Sequence, residues 1–61
     1  SKKAIIAKKN IKIGEKISLQ NTYALRPAEK GVAVDDINLL LGKHSLVDIN
    51  KGEFIHLGDI S

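Results

Sequence analysis

Residues 10–19, with the sequence NIKIGEKISL, return later in the chain as residues 48–57, with the sequence DINKGEFIHL. The two copies share the skeleton Asn/Asp-Ile-x-x-Gly-Glu-x-Ile-x-Leu, and matched positions such as 11 and 49 differ by 38. A repeat of this kind predicts two similar units with an internal pseudo-two-fold symmetry. We expect the apolar residues of the two copies to face each other in one core: Ile11, Ile17 and Leu19 against Ile49, Ile55 and Leu57.

The pattern within each copy predicts short extended segments joined by a tight turn. Ile11 and Ile13 alternate with Lys12, which is typical of a strand, and Gly14 then breaks the run. A glycine at this place predicts a turn with a positive φ angle, and Gly52 should make the same turn in the second copy.

Three other segments have the length and composition of strands: residues 4–7, 22–25 and 45–47. A short helix is predicted after Asp35 or Asp36, either of which could cap it, with an apolar face at Ile37, Leu40 and Leu41. Gly42 should end this helix. The chain therefore reads as a mostly β domain with short strands and one or two helical turns.

The two copies are joined through residues 25–32, with the sequence LRPAEKGV, which contain the only arginine and the only proline of the chain. Pro27 fixes its own φ angle and favours an extended backbone at Arg26. We therefore expect Arg26 to end a strand at a stiff junction. Gly31 should allow the loop to bend back.

Sixty-one residues form one small domain. The chain has no cysteine, which excludes disulfide bonds and thiolate metal sites and fits a reducing compartment. No uncharged run approaches the length that crosses a bilayer, and no segment has the apolar core of a signal peptide. We therefore expect a cytoplasmic protein with no membrane contact.

The net charge of +3 is unevenly distributed. Residues 1–16 contain six lysines and one glutamate, whereas the rest of the chain is net acidic. A basic face can meet an anionic surface. Nucleic acid is not favoured as a partner, because nine of the ten cations are lysine and only Tyr23 and Phe54 could stack on bases. We interpret the lysines as a solvated face.

No set of residues in the sequence predicts catalysis or metal binding. His44 and His56 lack a third ligand at the spacing of a metal site. No serine, histidine and acid form a credible triad, and Asp35 and Asp36 suit a helix cap better than an acid and base pair.

Five blocks, in this order, resemble the SAF domain, the antifreeze-like module at the C-terminus of sialic acid synthases. They are residues 7–17, Leu25-Arg26-Pro27, Lys30-Gly31-Val32, Leu41-Gly42-Lys43-His44 and residues 48–53. The resemblance covers nearly the whole chain. It implies a β-clip fold like that of type III antifreeze proteins, and a single domain over residues 1–61 taken from the C-terminus of a longer TIM-barrel synthase.

The resemblance also implies a function. Enzymes of that family condense phosphoenolpyruvate with an N-acylated hexosamine to make a nonulosonic acid, and the module of one subunit caps the barrel of its partner. By position, Arg26 is the arginine that reaches the partner's amino sugar, and Pro27, Lys30 and Gly31 are possible loop contacts. The catalytic base and a divalent metal belong to the barrel, so the resemblance implies no catalysis and no cofactor in this domain alone.

The central loop departs from the family's common block, Arg-Pro-Gly-x-Gly-Ile. This chain has Ala28 in place of the first glycine and one additional residue before Gly31, so we expect the loop to follow a different path. Two alternative functions remain. SAF modules also occur in pilus and flagellar assembly proteins and in sugar-acid dehydratases. Ice binding is disfavoured, because the chain has one threonine and the corresponding surface carries Lys9, Lys12, Glu15 and Lys16.

Overall fold

A computed structural model describes residues 3–25 and 30–61. Two short strands form an antiparallel sheet: β1, Ala4–Ala7, and β2, Thr22–Leu25. Ala4 lies opposite Leu25, and Ala7 lies opposite Thr22. Both strands confirm the sequence prediction. The other strand pairing in the described ranges consists of isolated bridges, which agrees with a mostly β clip built from short extended segments.

Strand β1 is the centre of the fold because neighbours occupy both of its edges. β2 covers one edge. On the other edge, the N–H of Ile5 donates to the carbonyl of Val32 at 2.8 Å, and the N–H of Ala7 donates to the carbonyl of Glu53 at 2.9 Å. All four residues of β1 are buried. A continuous apolar run, rather than alternation, is what such an enclosed strand requires.

Hydrogen bonds between the two copies confirm the internal pseudo-two-fold symmetry. Ile11 and Ile49 exchange both of their backbone bonds, each at 2.8 Å, so equivalent residues meet at the axis. Other bonds come in pairs displaced by 38 positions, such as Gly14 N to Ser45 O and Gly52 N to Ala7 O. Two side-chain bonds repeat in the same way, both at 2.8 Å: Ile13 N to Asp48 Oδ1 and Lys51 N to Asn10 Oδ1.

The glycine and the glutamate of the skeleton build the same turn in both copies. Gly14 and Gly52 have φ angles of 88° and 90°, which confirms the predicted positive φ. Glu15 and Glu53 each accept a hydrogen bond from the backbone N–H three residues earlier, at 3.0 and 2.7 Å. A side chain that closes its own turn explains why glutamate follows the glycine twice.

The four isoleucines of the skeleton are buried in the core, as predicted: Ile11, Ile17, Ile49 and Ile55. The prediction that Leu19 and Leu57 join them is wrong, since they are 64% and 52% exposed. Leu57 begins a 3₁₀ helix, Leu57–Asp59, and Leu19 lies in the matching turn of the first copy. These turns interrupt the strand alternation that would have directed both leucines inward.

The predicted short helix exists but begins earlier and is not capped by an aspartate. It is a 3₁₀ helix over Val34–Leu39, kinked at Asp36, with Ala33 at its N-cap and no side-chain cap bond. The N–H of Val34 instead donates to the carbonyl of Lys3 at 2.9 Å, so strand pairing takes the place of an aspartate cap. Leu40 follows the helix and is fully buried, and Gly42 ends the turn with a φ of 85°.

The predicted strand at residues 45–47 is wrong. Ser45 forms one bridge, to Ile60, and Leu46 and Val47 are 50% and 42% exposed. The hydroxyl of Ser45 donates to the carbonyl of Val47, two residues later. A local side-chain bond of this kind bends the backbone and competes with a strand ladder.

Candidate functional site

The loop that joins the two copies has both of its ends fixed on the centre of the fold. Leu25, before the loop, pairs with Ala4 in β1. Ala33, after the loop, forms a bridge with the same Ala4 from the opposite edge. The chain therefore leaves and returns at one end of a buried strand.

Gly31 anchors the returning side of the loop by its closeness to the second copy. Its φ angle is 74°, and a Cβ placed on it would lie 3.1 Å from the Cβ of Phe54 and 3.4 Å from the carbonyl oxygen of Ile55. Any larger residue would be strained by its backbone and would press on Phe54. Gly31 thus has a structural role at the site.

A groove of about 370 Å³ lies beside this contact. Lys30 contributes an ammonium group from the loop, and Phe54 contributes an aromatic side chain. The remaining lining residues described by the structure are Val47, Asp48, Ile49, Glu53, His56 and Asp59. Donors, acceptors and apolar carbons in one concave surface are suited to holding a polar molecule in one orientation.

Two of the carboxylates in this groove are already held in place by the fold. Asp48 accepts the hydrogen bond from Ile13 N, and Glu53 accepts the bond from Asn50 N. Fixed acceptors can orient a ligand without first losing side-chain freedom. The arrangement can bind and position a molecule. Among the described residues that line the groove, no nucleophile is paired with a base.

The sequence-predicted site residues have different outcomes. Arg26 and Pro27 lie outside the described residues. Lys30 is exposed and lines the groove. Gly31 packs against Phe54. The structure thus places Lys30 in the lining of the groove and Gly31 against Phe54, which also lines it.

Sequence reasoning did not identify Phe54, His56 and Asp59 as lining residues of this groove. One signal was available in the repeat. Phe54 is equivalent to Lys16 of the first copy, at a position that the shared skeleton does not specify, so an aromatic residue there is not explained by the repeat. The contact between Phe54 and Gly31 depends on how the loop returns, which no local pattern reveals.

The basic first copy contains one acid with a perturbed titration. The pKa of Glu15 is lowered below its ordinary value of 4.5, chiefly by the hydrogen bond from the backbone N–H of Lys12. The side-chain amide of Asn21, which donates to Glu15 at 3.3 Å, and the charge of Lys9 act in the same direction. Glu15 therefore stays ionised and tempers the positive charge of the lysines around it.

Neither a metal centre nor a membrane span is found in the parts of the chain that the structure describes. No three histidine, cysteine, aspartate or glutamate side chains in residues 3–25 and 30–61 are grouped so that they could hold a metal ion. None of the helices in these ranges combines the length and the apolar character that crossing a bilayer requires.

A family model described as the SAF domain matches residues 2–61. No curated protein sequence matches the chain. A similar solved structure is that of spore coat polysaccharide biosynthesis protein E from Chromobacterium violaceum, with a TM-score of 0.83 and 13% sequence identity. The similarity covers 98% of this chain and 18% of that chain. At this identity it shows a shared fold, and this chain spans less than a fifth of its solved relative.

Proposed function

This chain belongs to the SAF domain family, and we propose that it is the substrate-capping domain of a sialic acid synthase-like enzyme. The enzyme would condense phosphoenolpyruvate with an N-acylated hexosamine in the biosynthesis of a nonulosonic acid. The observation that carries the proposal is the similarity of 98% of this chain to a module that makes up 18% of a polysaccharide biosynthesis protein. A module so small within its relative would serve an active site that it does not form alone.

Arg26 would be the residue that this domain supplies to the amino sugar. A guanidinium group has five N–H donors in one plane and a charge that does not titrate away, which suits the carbonyl and hydroxyl oxygens of an N-acyl sugar. The fixed ends of the central loop support the proposal, since Leu25 and Ala33 both pair with the buried Ala4. When both ends of a loop are fixed, a residue in the loop loses less conformational entropy on binding a ligand.

The partner would be a TIM-barrel catalytic domain, in the same subunit or in a second one. That barrel would hold the catalytic base and the divalent metal ion, as the resemblance to the synthases implies. The groove beside Lys30 would then form part of the surface around the entry of the amino sugar. The enzyme would be cytoplasmic, a compartment that the lack of cysteine in the chain fits.

The first test is the mass of the native polypeptide in its source cells, followed by an activity assay on that polypeptide. We expect roughly 250 further residues upstream, the size of a TIM barrel. We also expect release of phosphate from phosphoenolpyruvate that depends on an added N-acylated hexosamine and on a divalent metal ion. A native chain of about 61 residues would contradict the proposal, as would a long chain that releases no phosphate with any N-acylated hexosamine.

A further inference from the structure

A second groove lies along the sheet of β1 and β2. Its volume is about 360 Å³, and the described residues that line it are Ile6, Ala7, Lys8, Tyr23, Lys51 and Gly52. Three neighbouring backbone segments form it: β1 in the middle, β2 on one edge, and residues 51–52 on the other. Ile6 pairs with Tyr23, and the N–H of Gly52 donates to the carbonyl of Ala7 at 2.8 Å.

The internal symmetry provides a direct comparison for this groove. The equivalent backbone in the other half consists of residues 44–46, residue 61 and residues 13–14. Its hydrogen bonds are the same: Lys8 N to Asn21 O, at 2.9 Å, corresponds to Leu46 N to Asp59 O, at 2.7 Å. The pairing of Ile6 with Tyr23 likewise corresponds to the two bonds that His44 and Ser61 exchange, at 2.8 and 2.9 Å.

The side chains differ although the backbone is shared. Tyr23 corresponds to Ser61, Lys8 to Leu46, and Lys51 to Ile13. The fold therefore does not need an aromatic ring and two cations at these positions, since the other half forms the same hydrogen bonds without them. A side-chain set that the backbone does not require is the kind that ligand binding explains.

The chemistry of the groove selects an anion with a compact apolar body. Lys8 and Lys51 both line this groove, which has no acidic residue among its described lining residues, so the local field favours a negatively charged ligand. Tyr23 is 55% exposed, so a large part of its ring is open to a ligand. The negative face of an aromatic ring attracts the polarised C–H groups of a sugar ring. A volume of about 360 Å³ is at the lower end of small-molecule sites.

From this combination we propose that the groove of Tyr23, Lys8 and Lys51 binds a monosaccharide that carries a carboxylate or a phosphate group. The lysines hold the anionic group, Tyr23 stacks on the ring, and Ile6 and Ala7 form the apolar floor. The site goes beyond the capping function, because none of the central-loop residues that the structure describes lines this groove.

The proposal is tested by titrating the ¹⁵N-labelled 61-residue chain with glucuronate and following its backbone amide signals. We expect saturable shifts at Lys8, Tyr23 and Gly52, with a dissociation constant on the order of 1 mM, as befits a small open site. The amides of the equivalent residues Leu46, Ser61 and Gly14 serve as an internal control and should stay in place. Glucose 6-phosphate should act like glucuronate.

Ligands that carry only the sugar ring or only the anionic group test the roles of Tyr23 and of the two lysines separately. Glucose carries the ring without the anion, and acetate carries the anion without the ring; each should bind at least about tenfold more weakly than glucuronate, because each lacks one set of contacts. Equal binding of glucose would overturn the role of the lysines, and equal binding of acetate would overturn the role of the ring. Shifts of the same size in both halves of the molecule would overturn the site itself.

The matched test uses variants in which a residue that lines the groove is replaced by its equivalent from the other half of the molecule. Lys8→Leu and Lys51→Ile should each weaken glucuronate binding about tenfold, and Tyr23→Ser should do the same while leaving acetate unaffected. The unchanged dispersion of the amide signals checks that each variant is folded. Because Lys8 and Lys51 are exposed, these two variants keep the test valid even if Tyr23→Ser unfolds the chain. Unaltered glucuronate binding in both lysine variants would overturn the proposal.

Discussion

The two halves of this molecule share a backbone and differ in what they present on it. In the first half, Lys8 and Tyr23 line a groove beside Gly52; in the second half, Phe54 and three acids line the groove beside Lys30. The shared skeleton of isoleucine, glycine and glutamate carries the pairing and the core, whereas the positions that it leaves free carry the differences. A duplicated unit can therefore keep one fold and acquire two unlike surfaces.

The largest effects should come from breaking the core equally in both halves. Ile17 and Ile55 are equivalent, and both are fully buried. Ile17→Ala and Ile55→Ala should each lower the free energy of unfolding by about 2–5 kcal/mol, through lost burial and the cavity that remains. For a domain whose total stability is of the order of 5–15 kcal/mol, either variant should be poorly folded. Urea unfolding followed by circular dichroism measures both.

The matched controls are the other equivalent pair, Leu19 and Leu57, which are largely exposed. Leu19→Ala and Leu57→Ala should change the free energy of unfolding by about 0.5 kcal/mol or less. A large loss from one isoleucine variant with little loss from the other would show that the halves do not share the core equally, and would break the comparison.

A smaller effect should separate the loop glycine from the two turn glycines. Gly14→Ala and Gly52→Ala meet open space but force a positive φ on alanine, which costs about 1–2 kcal/mol in each case. Gly31→Ala adds a contact of 3.1 Å with Phe54 to the same backbone strain, so its Tm should fall furthest. Thermal unfolding of the three variants ranks them. If Gly31→Ala were the mildest, the loop would not be anchored on Phe54.

The smallest effect should appear in the pH dependence of stability. The folded-state pKa of Glu15 is lowered by Lys12 N–H, Asn21 and Lys9. The ionised carboxylate therefore contributes to the free energy of unfolding at pH values above the ordinary pKa of 4.5, and this contribution is lost as the pH falls through the lowered pKa. Glu15→Gln removes the charge and keeps the shape. The Tm difference between the wild-type chain and this variant should be larger near about pH 6 than near about pH 2. A difference that does not change with pH would contradict this role of Glu15.

The sequence predicted those parts of the fold that local pattern and the repeat determine. Strands β1 and β2 follow from short apolar runs, and the positive φ angles of Gly14 and Gly52 follow from two matched glycines. The start of the 3₁₀ helix did not follow, because Ala33 pairs with Ala4 and Val34 donates to Lys3, which are contacts between distant parts of the chain.

The candidate site was predictable only in part for the same reason. The composition of the central loop drew attention to Lys30 and Gly31, but their neighbour Phe54 lies in the second copy and comes close only after the loop returns to β1. The second groove could not be anticipated either, since Lys8, Tyr23 and Lys51 are distant in sequence and meet through strand pairing. The repeat predicted the backbone on which these contacts form, whereas the contacts themselves depend on tertiary pairing between distant segments.

The central claim, that this domain supplies Arg26 to the amino sugar of a synthase, is tested most directly by kinetics of the native full-length enzyme. Arg26→Ala should lower kcat/KM for the N-acylated hexosamine roughly 10- to 100-fold, the loss expected for charge-assisted hydrogen bonds, and should affect phosphoenolpyruvate less. Arg26→Lys should be intermediate, because it keeps the charge without the planar donors. Lys12→Ala, which removes an exposed cation of the first copy, is the control and should match the wild-type enzyme. An Arg26→Ala enzyme with unchanged kcat/KM for the amino sugar would contradict the account.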